Sequence, residues 1–179
     1  MPDDESHLRL FCALWPDDDV RKRIAATTTD LVAAAGGRPV PPANYHLTLV
    51  FLGPVIITDL EAIQAAARGV PVCPFELALT RTGYFPRSKI AWLGPDETPD
   101  ELVQLVDVLW TELTGVGIGR DDRPPYRPHL SLARKATGCP AGELSEPLIW
   151  PVSGFALVAS DTTPEGSVYT LLEQYSAGD

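Results

Sequence analysis

His46-Leu47-Thr48-Leu49 and His129-Leu130-Ser131-Leu132 are near-identical tetrads in a chain with only three histidines. They lie 83 positions apart, close to half of the 179 residues, which predicts an internal repeat. Read as strands, they send alternate side chains to opposite faces. Leu47 and Leu49 anchor in a core, while His46 and Thr48 stand together on the other face, roughly 6.6 Å apart along the backbone. The second tetrad repeats this with His129 and Ser131. Arg127, two residues earlier, shares their face. Bringing the two strands together lines one groove with two imidazoles, two hydroxyls and a guanidinium.

Outward from the tetrads, the chain reads as interspersed strands and helices. Leu8 to Trp15 is predicted as a first strand, and Asp17-Asp18-Asp19 opens a helix to about Ala35, stopped by Gly36-Gly37. Pro39, Pro41 and Pro42 form a stiff approach to a strand from Tyr45 to Leu52, closed by Gly53-Pro54. Thr58 and Glu61 predict a capping box for a helix over about 59 to 68. Phe75 to Tyr84 and Lys89 to Leu93 read as paired strands. Thr98, Pro99 and Glu101 predict a second capped start, with Leu102, Leu105, Val106, Leu109 and Leu113 facing the core. A Gly/Asp/Pro-rich loop is expected over 115 to 126, a strand from Arg127 to Ala133, and a polar loop over about 136 to 147. Val152 to Ser160 and Ser167 to Gln174 form a closing hairpin. The expected fold class is α+β with antiparallel sheets, a single domain over residues 1–179 whose two intertwined lobes each carry one tetrad.

Composition narrows the function classes. Acidic residues outnumber basic ones 24 to 14, a net charge of −10, which disfavours a non-specific nucleic-acid coat but not a pocket gripping one phosphate. No apolar run approaches the roughly 20 residues needed to span a bilayer. Met-Pro-Asp-Asp-Glu lacks the basic start of a secretory signal, so a cytoplasmic protein without membrane contact is expected. Cys12, Cys73 and Cys139 are odd in number and far apart, which predicts reduced thiols.

The groove's residue types define its chemistry. Histidine gives and takes protons near neutral pH, so a pair flanking one phosphorus supplies a general base and a general acid. Thr48 and Ser131 can donate to non-bridging oxygens where charge is held in the transition state. Arg127 adds a charge-assisted contact, or alternatively bridges to an acidic surface residue. Two histidines without a carboxylate or cysteine at ligand spacing fall short of a zinc set, so no metal or other cofactor is expected. No G-x-S-x-G elbow marks a serine hydrolase. An alternative of a different class is a non-catalytic module that binds a phosphate end without converting it.

Taken with Pro41-Pro42-Ala43-Asn44-Tyr45 before the first tetrad and Tyr126-Arg127-Pro128 before the second, the chain resembles the two-histidine (2H) phosphoesterase superfamily. Within it, the resemblance is to the bacterial RNA 2′,3′-cyclic phosphodiesterase, or 2′-5′ RNA ligase, family. Leu10 to Pro16, Gly83-Tyr84-Phe85-Pro86 and Ala91 to Gly94 support it in the same order. The resemblance implies two pseudo-symmetric lobes around a cleft and hydrolysis of terminal 2′,3′-cyclic phosphate to a 2′-phosphate. It also implies ATP-independent joining of such ends to a 5′-hydroxyl. The partners implied are RNA 3′ ends bearing the cyclic phosphate, tRNA fragments among them, or small cyclic nucleotides; the chain itself is expected to be a monomer. Catalytic roles fall on His46, His129, Thr48 and Ser131 and substrate binding on Arg127. His46 is then the proton donor and His129 the base, an order the near-symmetric residues leave open by themselves. Ser131 departs from the commoner threonine and loses a β-branch that stiffens χ1. Arg38, Arg87 and Arg134 are further candidates for RNA contact, and Tyr84 or Phe85 for stacking on a base.

Overall fold

A computed structural model describes residues 6–120 and 125–178. The Met1–Glu5 reading and the centre of the 115–126 loop therefore lie outside the described residues. In chain order the elements are β1 (His7–Leu14), α1 (Asp18–Ala35), β2 (Arg38–Pro39), β3 (Leu47–Ile56), α2 (Leu60–Arg68), β4 (Phe75–Phe85), β5 (Ile90–Gly94), α3 (Asp100–Gly115), β6 (Leu130–Arg134), β7 (Gly142–Val152), β8 (Gly154–Thr163) and β9 (Gly166–Ser176). All strand pairs are antiparallel, in the order β7-β4-β5-β6-β3-β1-β8-β9, with β2 on β6. The α+β expectation holds.

The sheet has one face against the helices and one face open. Leu10, Cys12 and Leu14 of β1 join Ile24, Ile63, Leu102, Leu109 and Leu113 in the main core. Phe11 and Ala13 point the other way and pack with Ala156 and Val158. All five apolar residues expected to face inward from α3 are buried, as is Trp110. Asp17 caps α1, its Oδ1 accepting from Val20 N at 2.8 Å, a contact worth about 1 kcal/mol.

Away from the histidine tetrads, several boundaries differ from the sequence reading, each for a local reason. β3 does not stop at Gly53-Pro54; Gly53 takes φ +77° beside a register slip against β1, so the strand bends and runs on to Ile56. Thr58 forms no capping box, because a 3-10 turn over Ile57–Asp59 leads into α2. Pro99, not Thr98, caps α3, its carbonyl accepting from Leu102 N and Val103 N at 3.1 Å. The polar stretch read as a loop to residue 147 is strand from Gly142. Its register with β4 breaks between Glu143 and Leu148, where Pro147 falls, and β7 lies at the sheet edge, where proline is tolerated.

The two tetrads meet at the centre of the sheet. β3 and β6 share a single register pair, Leu47↔Leu130, both residues fully buried, and four strands of the main order lie on each side of it.

Candidate active site

Each motif histidine sits one residue ahead of its strand rather than inside it. The same contact accompanies this in both tetrads. His46 Nδ1 is 2.8 Å from the Asn44 carbonyl, and His129 Nδ1 is 2.8 Å from the Arg127 carbonyl. A carbonyl only accepts, so Nδ1 carries the proton and donates, and each neutral ring keeps its free lone pair on Nε2. Ahead of His46 the 3-10 turn Pro42–Asn44 closes with Tyr45 N donating to the Pro42 carbonyl at 3.1 Å, so the strand starts only at Leu47. Ahead of His129, Pro128 supplies no N–H to a ladder. The strand expected from Arg127 accordingly begins at Leu130 and ends at Arg134.

The register places the four functional side chains. With Leu47 opposite Leu130, one antiparallel step to either side sets His46 across from Ser131 and Thr48 across from His129. Each imidazole thus faces the hydroxyl of the other motif, on the face opposite the buried leucines. All four residues are half-buried, and neither hydroxyl has a hydrogen-bond partner among the described residues. Tyr126 spans the short junction, its hydroxyl donating to the Thr48 carbonyl at 2.9 Å.

The repeat extends beyond the tetrads to a matched irregularity. β3 advances from Thr48 to Val50 while β1 advances from Ala13 to Cys12, leaving Leu49 as the extra residue. β6 advances from Ser131 to Ala133 while β5 advances from Trp92 to Ala91, leaving Leu132 extra. Both extra leucines are the third residue after their histidine. Such a bulge shifts the alternation by one and re-aims whatever follows. Phe51 therefore joins the open-face cluster, and Arg134, at the equivalent place in the second repeat, lies close enough for its charge to act on both histidines. Its Nη2 donates to the Tyr169 hydroxyl at 3.3 Å.

The two rings have different surroundings. His46 stacks on Trp15 at a centroid separation of 5.4 Å, lies 5.0 Å from Phe11, and makes a T-shaped contact with Tyr169 at 5.0 Å. Burial among these rings lowers its pKa from 6.5 to about 4, against the Asn44 carbonyl, which raises it, and with help from the Arg134 and His129 charges. His129 touches Phe85 edge-on at 4.9 Å. Its pKa is also lowered, first by burial and then by the charges of Arg127 and Arg134, against the Arg127 carbonyl. His46 feels His129, and both feel Arg134, so the three side chains share one electrostatic neighbourhood.

The other candidates divide. Arg127 is exposed, with its guanidinium 5.7 Å from the Phe85 ring centroid, and it makes no ion pair among the described residues. Phe85 stacks on Trp92 at 5.3 Å and, with Arg127 and His129, lines a cavity of about 480 Å³. Tyr84 lines the same cavity, while it also packs toward an alanine cluster and its hydroxyl donates to the Ala136 carbonyl at 3.0 Å. Arg87 lies exposed in the turn between β4 and β5. The aromatic cage around His46 escaped the sequence reading. Phe11-Ala13-Trp15 alternation carried a signal for two of its members, but nothing local marked Tyr169. All three cysteines are free thiols. Among the described residues, no group of three or more His, Cys, Asp and Glu could hold a metal ion, and no helix is long and apolar enough to cross a membrane.

Comparison with known proteins bears on the same site. A family model described as the 2′-5′ RNA ligase superfamily matches residues 16–163. A relative from Thermus thermophilus named RNA 2′,3′-cyclic phosphodiesterase is 36% identical over 94% of this chain and 90% of its own length. One of the same name from Escherichia coli is 31% identical over 94% of this chain and 96% of its own. A crystal structure of E. coli LigT complexed with 3′-AMP superposes with a TM-score of 0.86 at 29% identity, covering 97% of this chain and all of that one.

Proposed function

The chain belongs to the 2′-5′ RNA ligase superfamily, and from that premise we propose that it is an RNA 2′,3′-cyclic phosphodiesterase using its two motif histidines as a general acid–base pair. The observation that carries the reading is the matched anchoring of both rings. Each Nδ1 is tied to a carbonyl two residues upstream, which commits each Nε2 to proton transfer.

In the forward reaction the base Nε2 takes a proton from water as its oxygen bonds to phosphorus. The P–O3′ bond breaks, and the other Nε2, protonated beforehand, gives its proton to O3′. A 2′-phosphate and a 3′-hydroxyl result. Replacing water by the 5′-hydroxyl of a second strand gives a 2′-5′ linkage with the same proton bookkeeping. Following the resemblance, His46 is the donor and His129 the base. Burial disfavours an imidazolium at position 46 in the free protein, but the phosphate anion and the aromatic faces around it both favour that charge once substrate binds. Thr48 and Ser131 donate to the non-bridging oxygens, and Arg127 contacts the phosphate. Phe85 supplies a face for a base. We further propose a cytoplasmic monomer, one domain of two halves that each contribute a motif, acting on cyclic-phosphate RNA ends such as tRNA fragments.

The test is incubation with an oligonucleotide ending in 2′,3′-cyclic phosphate in the presence of a chelator, followed by identification of the product. A 2′-phosphate is expected. An unchanged substrate, or activity that disappears with chelation and returns with zinc, contradicts the reading.

A further inference from the structure

Three cations gather beside His46 in a chain whose net charge is −10. A cavity of about 590 Å³ is lined by Arg38, Arg134 and Lys135, with Asn44 and Tyr169. Asn44 holds the His46 ring through its carbonyl, and Tyr169 makes a T-shaped contact with that ring, so the cavity adjoins the site. None of the three cations forms an ion pair among the described residues. Glu165 also lines the cavity, but meets Arg38 through its backbone carbonyl, accepting from Nη1 at 2.6 Å.

The cluster is built into the backbone. β2 pairs Arg38 with Arg134 across the sheet. Lys135 takes φ +52°, a left-handed conformation unusual for a side chain of its kind. Opposite it, Gly37 takes φ +74°, and a Cβ there would collide with the Lys135 carbonyl. Strain of this sort persists only when its surroundings enforce it, and it collects at binding sites. The result is a pocket of unpaired positive charge adjoining the aromatic cage of His46. We propose that this cavity binds a backbone phosphate of an RNA strand, away from the reacting phosphorus, so that the protein selects polynucleotide ends over cyclic mononucleotides. The proposal rests on the reading of the chain as an enzyme of RNA ends. The phosphate belongs either to the strand bearing the cyclic end or to the acceptor strand in joining.

The experiment compares wild type with Arg38→Gln/Lys135→Asn. Glutamine keeps a donor for the Glu165 carbonyl, and asparagine tolerates a positive φ. Substrates are a 2′,3′-cyclic mononucleotide and a trinucleotide with the same cyclic end, and joining is measured to a 5′-hydroxyl trinucleotide. Cyclic mononucleotide turnover is expected to stay within about twofold, while kcat/KM on trinucleotide hydrolysis or joining falls about tenfold, the scale of a lost charge-assisted contact. The salt dependence of the affected reaction should become shallower by roughly 0.7 logarithmic units per cation removed. A loss in hydrolysis places the donor strand in the cavity, and a loss confined to joining places the acceptor strand there. Equal losses on mononucleotide and trinucleotide, or no loss in either trinucleotide reaction, overturn the proposal. Absence of cyclic-phosphate hydrolysis by the wild type overturns the functional reading instead.

Discussion

At the scale of single residues, the site depends on atoms that have been given one task each. With Nδ1 held by a carbonyl, neither imidazole can use that nitrogen for chemistry without breaking its own anchor. Replacing His46 or His129 with alanine is expected to lower cyclic-phosphate turnover by roughly 10²–10⁴-fold, the usual reach of positioned acid–base help. Steady-state hydrolysis of a 2′,3′-cyclic nucleotide measures it, with a thermal melt to confirm that the variants fold. The hydroxyls have a different task. Thr48→Val keeps shape and β-branching but removes the donor, and a loss of about 10²–10³-fold in kcat is expected if it holds a transition-state oxygen. A change confined to KM would give Thr48 a role in binding alone. The site residues were legible because chemistry-bearing types recur at fixed spacing on alternating positions. Tyr169, 123 residues from His46 in sequence, could not be read from spacing at all; only the β8–β9 hairpin brings it to the ring.

At the scale of elements, matched bulges after Thr48 and Ser131 decide what else reaches the groove. Strict alternation from Leu130 would bury Arg134; the extra Leu132 turns it out instead. No residue in that stretch announces a bulge, since the slip is defined by the partner strand rather than by β6 itself. The edge strand β7 was missed for a related reason: Glu143, Glu146 and Pro147 look like a loop unless the sheet edge they occupy is known. Helix α3, by contrast, was legible in almost every core position because its apolar periodicity needs no partner to be seen. Close packing supports His129 from β4. Gly83 lies under the Trp92 indole, where a Cβ would overlap the ring, and Trp92 stacks on the Phe85 that touches His129. Gly83→Ala should therefore cost about 1–3 kcal/mol, measured by chemical denaturation, and should lower kcat/KM as well. Unchanged kinetics in a destabilised variant would detach the Phe85–Trp92 stack from catalysis.

For the whole molecule, the depressed imidazoles tie stability and activity to pH. An unfolded histidine titrates near 6.5. The folded His46 titrates at about 4, so in this window the unfolded chain binds more protons than the folded one. Its contribution to stability is complete above about pH 6.5 and is lost as pH falls toward 4; His129 acts in the same direction. Urea midpoints should drop over that interval, and inorganic phosphate should offset the drop by favouring the charged rings. A midpoint flat from pH 7 to pH 4.5 would show that the rings are not desolvated as their surroundings imply.

The pairing of the two imidazoles is tested most directly by pH–rate profiles of kcat/KM on a 2′,3′-cyclic nucleotide. The wild type should give a bell lying on the acid side of 6.5, since both free rings are depressed. His46→Ala and His129→Ala should each abolish one limb of that bell, and not the same one. Residual activity in either variant that still shows both limbs at near wild-type rate would contradict the shared acid–base site.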